Sequence, residues 1–285
     1  MKNITEISIN KLHTFEGHPY KVLDNEEMRE LTESVREYGI LSPITVRPLE
    51  NITDEYEVIS GHRRLYAAMK AGLETVPAFV YDIDRDTAAV MVVDSNLHRE
   101  HILPSEKAKA YKLKMDALSH QGKRSDLTSE QIAPKLTTEI IAEQYGTSKD
   151  TVKRYIRLTY LIPELLDLMD EDKIAFSVGV ELSYLDEEKQ YVLFGLIEEL
   201  DCTPSYAQAN HMHKDFLSGT LSNDSIAEMM SADKPNQKPV YKLPAEKFEK
   251  YIKPDTSQKE AEEFFLKACE SYAKEQKRKR NRDAR

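Results

Sequence analysis

The sequence predicts an α+β N-terminal domain followed by an all-α helix-turn-helix domain and a small C-terminal helical domain. Three observations carry this. The first hundred residues alternate β-branched, strand-like runs with amphipathic helical runs. From Pro104 onward the helical period dominates. A polar stretch with two prolines at 232–239 then sets off the last segment. The resulting boundaries are 1–102, 103–231, a linker at 232–239, and 240–285.

Residues 4–10 read as a short strand. Asp24 is the expected N-cap of a helix with Met28, Leu31, Val35 and Tyr38 on one face, closed by Gly39. Strands at 44–46 and 55–59 flank a polar turn at 50–54. A helix then follows Gly61 and runs through Ala67, Ala68 and Met69 to Gly72. The strand at 76–81 contains Pro77, which points to an edge strand because proline cannot donate to a ladder. Residues 84–93 read as a helix, and Asp82, Asp84 and Asp86 as part of a solvated loop.

Pro104 opens the helical half, with Glu106 where the helix dipole favours an acid. That helix passes Tyr111 and Leu118 and ends in a hydrophilic loop at 121–128. A helix-turn-helix is expected at 137–158: a first helix at 138–145, a turn at Gly146, and a second helix at 149–158 capped by Ser148. Ala142 is small where the helices meet, and Val152 and Ile156 face inward at i,i+4. Lys149, Thr151, Lys153, Arg154 and Arg157 are left for solvent or DNA, with Thr147 and Ser148 at the helix entrance. Lys149 and Thr151 suit base edges, and Arg154 and Arg157 suit phosphates. Further helices are expected at 163–169, 178–185, 187–200 and 204–217. His211 and His213 do not share a helix face and read as surface. Near the C-terminus a strand is expected at 240–243, then a helix with an apolar stripe (Ala261, Phe264, Phe265, Ala268, Tyr272) that reads as core or dimer surface. The basic run at 277–282 reads as a disordered tail.

The net charge is −10, which by itself disfavours non-specific DNA binding. Its distribution matters more. Residues 164–201 hold 12 acids and two bases, so that segment accounts for the whole −10 and the remainder sums to zero. Basic patches elsewhere are therefore permitted. No apolar run approaches the roughly 18 residues of a membrane span, and the N-terminus is no signal peptide, so a cytoplasmic protein without a membrane partner is expected. Cys202 and Cys269 lack metal-ligand spacing and read as buried or incidental thiols.

The chemistry concentrates in two motifs. In Ser60-Gly61-His62-Arg63-Arg64 a strand turns directly into a helix. A helix N-terminus suits an anion, and two arginines add donors for phosphate oxygens. In Asp94-Ser95-Asn96, Asp94 and Asn96 are oxygen ligands of the kind Mg²⁺ takes, with Arg99 nearby. Together they suggest a nucleoside triphosphate pocket without a Walker loop.

The order of motifs over residues 5–185 resembles the ParB/Spo0J family of partition proteins. It runs Pro43-Ile44-Thr45-Val46-Arg47, Ser60-Gly61-His62-Arg63-Arg64, Val76-Pro77, Asn96-Leu97-His98-Arg99, Leu103-Pro104-Ser105-Glu106, then the helix-turn-helix. The resemblance implies a CTP pocket. Thr45, Val46 and Arg47 would lie on its cytidine-facing strand. Gly61, His62, Arg63 and Arg64 would form its phosphate loop. Ser95, Asn96 and Arg99 would complete the phosphate and metal contacts, with Asn96 and Asp94 as the Mg²⁺ ligands. It also implies a homodimer that reads a palindromic DNA site and closes on DNA as a CTP-dependent clamp. Two departures bear on hydrolysis. Ser95 stands where many members have a metal-binding Glu, and His62 where many have Glu in the phosphate loop. CTPase activity is left open, and no catalytic residue is assigned. A ParA-type ATPase partner is also left open, because the folded part is expected to begin near residue 5, without a preceding tail. The fold resembles sulfiredoxin too, but no Cys lies in the loop that would carry that redox chemistry.

Two other readings compete with the clamp. One is a helix-turn-helix transcriptional regulator with a vestigial pocket. The other is a nuclease or small-molecule kinase on the same scaffold; for the kinase, Glu100 or His62 could serve as base. A response of DNA binding to nucleotide separates the clamp from the regulator. Nicking of DNA or phosphate transfer would favour the enzyme.

Overall fold

The computed structural model describes residues 4–50, 52–97, 101–124, 133–232, 248, 251 and 258–283. Five strands form one sheet: β1 (Ile4–Ser8), β2 (Leu12–Thr14), β3 (Ile44–Pro48), β4 (Tyr56–Ser60) and β5 (Thr75–Val80). Their order is β1-β5-β3-β4-β2. The β1/β5 and β3/β4 pairs are antiparallel, and β3/β5 and β2/β4 are parallel. Side chains alternate between the two faces of a strand. Val46, Val58, Val76 and Ala78 therefore pack under α1 (Glu26–Tyr38) and α2 (His62–Ala71). Ile59 points to the opposite face, where it meets Phe15 and Ala88, Ala89 and Val92 of α3 (Arg85–Asp94).

Three local expectations are corrected here. The N-cap of α1 is Asn25, whose side chain accepts from the Met28 N–H, and Asp24 instead pairs with Lys70. β5 is an interior strand despite Pro77. Its pairing with β3 begins only at Ala78, so Pro77 has a paired neighbour on one side, Glu6 of β1. The first strand ends at Ser8, and a 3-10 turn follows at Ile9–Lys11.

The helical half is organised around α4 (Pro104–Arg124), which packs on α3, on α5 (Ala133–Gln144) and α6 (Lys149–Arg157), and on α7 (Pro163–Asp170). The helix continues to Arg124, past the expected break at 121. Gln, Lys and Arg there are good helix formers, and one glycine costs only about 1 kcal/mol. The rest of the expected loop, 125–128, lies outside the described residues. Next come α8 (Phe176–Leu182), α9 (Glu187–Leu200), α10 (Tyr206–Ser218) and α11 (Asn223–Ser231), packed around Leu165, Leu182, Leu193, Met212 and Ile226. A further core joins Tyr20, Val93 and Leu97 to Tyr111, Ile141, Val152 and Ile156. The sheet and helical halves thus share side-chain packing, and residues up to Ala232 form one compact unit.

Asp233–Arg285 is a separate unit. Most of the expected linker and the strand at 240–243 lie outside the described residues. Helix α12 (Gln258–Asp283) runs through the basic stretch that reads as a tail in the sequence. Phe265 packs edge-on against Phe248 at 5.0 Å, while Phe264, Leu266 and Tyr272 are exposed.

Candidate functional site

The β4–α2 turn is built around Gly61. Its φ of +103° is a conformation that side chains rarely adopt, and a Cβ there would lie 2.7 Å from Ile44 Cγ2. Ile44 is fully buried on β3 and cannot easily give way. The turn therefore requires glycine on two counts. Gly61 also brings no side chain to cap α2, no described side chain does so, and the first turn holds no acid. The helix start keeps its positive end for a ligand.

That end opens on a cavity of about 610 Å³. Ser60, Gly61, His62, Arg63 and Arg64 form one wall. Glu27, Glu30 and Ser34 of α1 form another. Ser95 and Asn96, just past the end of α3, complete it together with His18, Tyr20 and Lys21. The two sequence motifs, thirty residues apart, thus meet across one space.

The two arginines differ in role. Arg64 donates to the backbone carbonyls of Ser42 and Pro43, and burial lowers its pKa. It ties α2 to the α1–β3 loop. Arg63 is half-buried, and among the described residues its one ion pair is with Glu27 at 3.1 Å, so it is the arginine able to turn to a phosphate. Asn96 is 7% exposed, and its Nδ2 donates to Val92 O at 2.8 Å and to Ser95 Oγ at 3.0 Å. Oδ1 is then the atom it offers to a ligand or metal. His62 packs against His18, with ring centroids 3.7 Å apart and the planes tilted by 39°.

Other expected site residues are placed elsewhere. Val46 is fully buried beneath the helices. Arg47 is 3% exposed and faces its cross-strand partner Glu57, with Nε 2.7 Å from Oε2 and Nη1 3.2 Å from Glu50. Its guanidinium is thus shared between two carboxylates. Thr45 pairs with Ser60 next to the Gly61 turn but does not line the cavity. Asp94 turns away as well. It accepts from Lys114, a lysine 2% exposed in α4, and from the Tyr145 hydroxyl. Burial pushes the Asp94 pKa up, but the Lys114 and Tyr145 hydrogen bonds outweigh it and leave the carboxyl below its ordinary value. Its carboxylate is thus engaged by α4 and the end of α5, and Asp94 does not line the cavity. Among the described residues no group of three His, Cys, Asp or Glu side chains could hold a metal ion alone. A magnesium held mainly by substrate phosphates needs only one or two protein oxygens. Asn96 supplies one, with Glu27 and Glu30 on the facing wall. Arg99 lies outside the described residues.

The expected helix-turn-helix forms. Gly146 takes φ +60°, and Ser148 caps α6 by accepting from the Thr151 N–H. Ile141, Ala142, Val152 and Ile156 close the helix pair. Lys149, Lys153 and Arg154 stay on the outside. Thr147 donates its N–H to Ala142 O, and Thr151 shares a 2.9 Å hydroxyl contact with Ser148. Arg157 is a buttress: it donates to Ser183 O at 2.7 Å and lies over the rings of Tyr160 and Tyr184. Tyr184 in turn stacks on His213, which bonds Glu181 at 2.6 Å, so His213 is part of the packing and not surface. Lys114 connects the two regions, because it also bonds Gln144 Oε1 at 2.6 Å and Tyr145 Oη at 2.9 Å at the end of α5.

Fold and site together define a class: a sheet domain with a cavity at a helix N-terminus, joined through a shared core to a helix-turn-helix. Residues 1–97 match the ParB N-terminal domain, and residues 100–203 match the ParB HTH domain. The chain belongs to the ParB family. It is 34% identical over 196 residues to the chromosome-partitioning protein Spo0J of Thermus thermophilus, across 69% of this chain and 65% of that protein. It is 27% identical over 201 residues to the nucleoid occlusion protein of Listeria innocua, across 70% of this chain and 64% of that one. The alignments thus span just under two thirds of these relatives. Among solved structures it is similar to the C-terminally truncated chromosome-partitioning protein ParB from Caulobacter crescentus complexed with CTP-γ-S. Identity there is 26% and the TM-score 0.32, covering 69% of this chain and 99% of that one. Among the described residues no helix is long and apolar enough to cross a membrane.

Proposed function

We propose that this chain is a sequence-specific DNA-binding protein of DNA segregation or nucleoid organisation, and that it binds CTP with Mg²⁺ in the α2 cavity to close as a homodimeric clamp on DNA. The observation that carries the reading is the uncapped start of α2, with Gly61 and Arg63 facing Ser95 and Asn96 across one cavity. Arg63 and the first-turn N–H groups would bind phosphate oxygens. Arg64 would hold the turn in place. Asn96 would share Mg²⁺ with the phosphates, the ion neutralising their charge. Lys149 and Thr151 would read base edges, with Lys153 and Arg154 on the backbone. A dimer matches a palindromic site. Nucleotide acts as a population shift: it must bind the closed state more tightly than the open one.

The test is Arg63→Ala in the full chain. CTP binding should be lost in calorimetry while fluorescence anisotropy shows site-specific DNA binding retained. Equal loss of both would refute this division of labour. DNA binding that ignores nucleotide in the unaltered protein would favour the plain regulator.

A further inference from the structure

Lys21 lines the same cavity, and its ammonium is paired with the helical half. Nζ lies 3.0 Å from Asp167 and 3.4 Å from Asp170, both on α7 of the helical half. The Lys21 backbone is fixed separately, its N–H donating to Glu106 at 2.8 Å. Its side chain is 42% exposed and can swing on a flexible four-carbon stem.

The two acids do not depend on Lys21 equally. Asp170 is 7% exposed and accepts from Ser105 N at 3.0 Å and Ser105 Oγ at 2.6 Å. It stays satisfied if the lysine leaves. Asp167 is 61% exposed and would return to water. Releasing Lys21 therefore leaves Asp170 with both Ser105 hydrogen bonds at the start of α4. A polyphosphate at the α2 start would place several negative charges within reach of the same cation.

We infer that Lys21 is an exchange cation: it ties the N-terminal segment to α7 when the cavity is empty and binds nucleotide phosphate when it is filled. The inference rests on the nucleotide reading above and adds a residue and a route. Each binding event breaks the Lys21–α7 tie and so loosens the sheet half from the helical half.

The experiment is calorimetry on the full chain with CTP and, separately, inorganic tripolyphosphate, using Lys21→Gln, Asp167→Asn and the double variant. Both sites are solvent-exposed, and melting curves verify folding. Asp167→Asn removes the nearer of the two acids, leaving only the 3.4 Å Asp170 contact, and should tighten both ligands by about two- to fivefold, the scale of an exposed ion pair. Lys21→Gln should weaken both, and the double variant should match Lys21→Gln. If the unaltered protein binds CTP and Asp167→Asn leaves affinity unchanged, the exchange is refuted and the pocket stands. If the unaltered protein binds neither ligand, the nucleotide reading fails and takes this inference with it.

Discussion

Replacing Gly61 with alanine tests the site where its geometry is tightest. Two penalties add. A non-glycine residue in the left-handed region costs about 1–2 kcal/mol. The new Cβ would also sit 2.7 Å from Ile44 Cγ2 and 3.1 Å from Arg64 Nη2. The arginine can shift, but Ile44 is fully buried, so β3 or α2 must move. Overpacking of this kind costs about 1–3 kcal/mol. The total is roughly 2–5 kcal/mol, which lowers Tm by roughly 5–20 °C for a unit of this size. Any relaxation displaces the first turn of α2, so nucleotide affinity should fall as well. Differential scanning fluorimetry with and without CTP reads both effects. A Gly61→Ala protein that melts within about 2 °C of the parent and keeps its CTP shift would refute the reasoning.

Lys114→Met should cost about 2–4 kcal/mol in urea unfolding, below the usual range for breaking a buried pair because Asp94 is partly solvated; an unchanged midpoint would contradict it. Asp94 should shape the acid limb of stability. Its pKa is depressed in the folded state, so its contribution is full above the ordinary 3.8 and is lost as pH falls through the lower folded value. Asp94→Asn should flatten that part of the pH–stability curve, and an unaltered curve would show that the carboxylate is not held as described. Arg154→Ala should weaken DNA binding and reduce its salt slope by about one. Arg157→Ala should instead lower Tm, by an amount equivalent to about 1–3 kcal/mol, through loss of the Tyr160 and Tyr184 stack and the Ser183 bonds.

The parts legible in the sequence were those with a local cause. Gly61, Gly146 and Ser148 each mark a turn or cap that only a few residue types can make. Val152 and Ile156 follow from the helical period. A strand's period assigns Arg47 a face but not a partner; that partner is Glu57, ten residues on and directly across the ladder. The pairing of Asp94 is hidden for a similar reason, since Lys114 and Tyr145 reach it only through tertiary packing. His18, Tyr20 and Lys21 went unnoticed because they lie in an irregular segment where no periodicity applies. The basic run at 277–282 is helical because charge alone does not stop a helix whose residues, Lys and Arg, propagate it well.

The most direct test of the central claim is isothermal calorimetry of CTP, ATP, GTP and UTP, each with and without Mg²⁺ and with and without a cognate DNA site. Saturable, Mg²⁺-dependent binding of CTP in preference to the other three is expected. Absence of binding by every nucleotide, with DNA present as well as without it, would contradict the account.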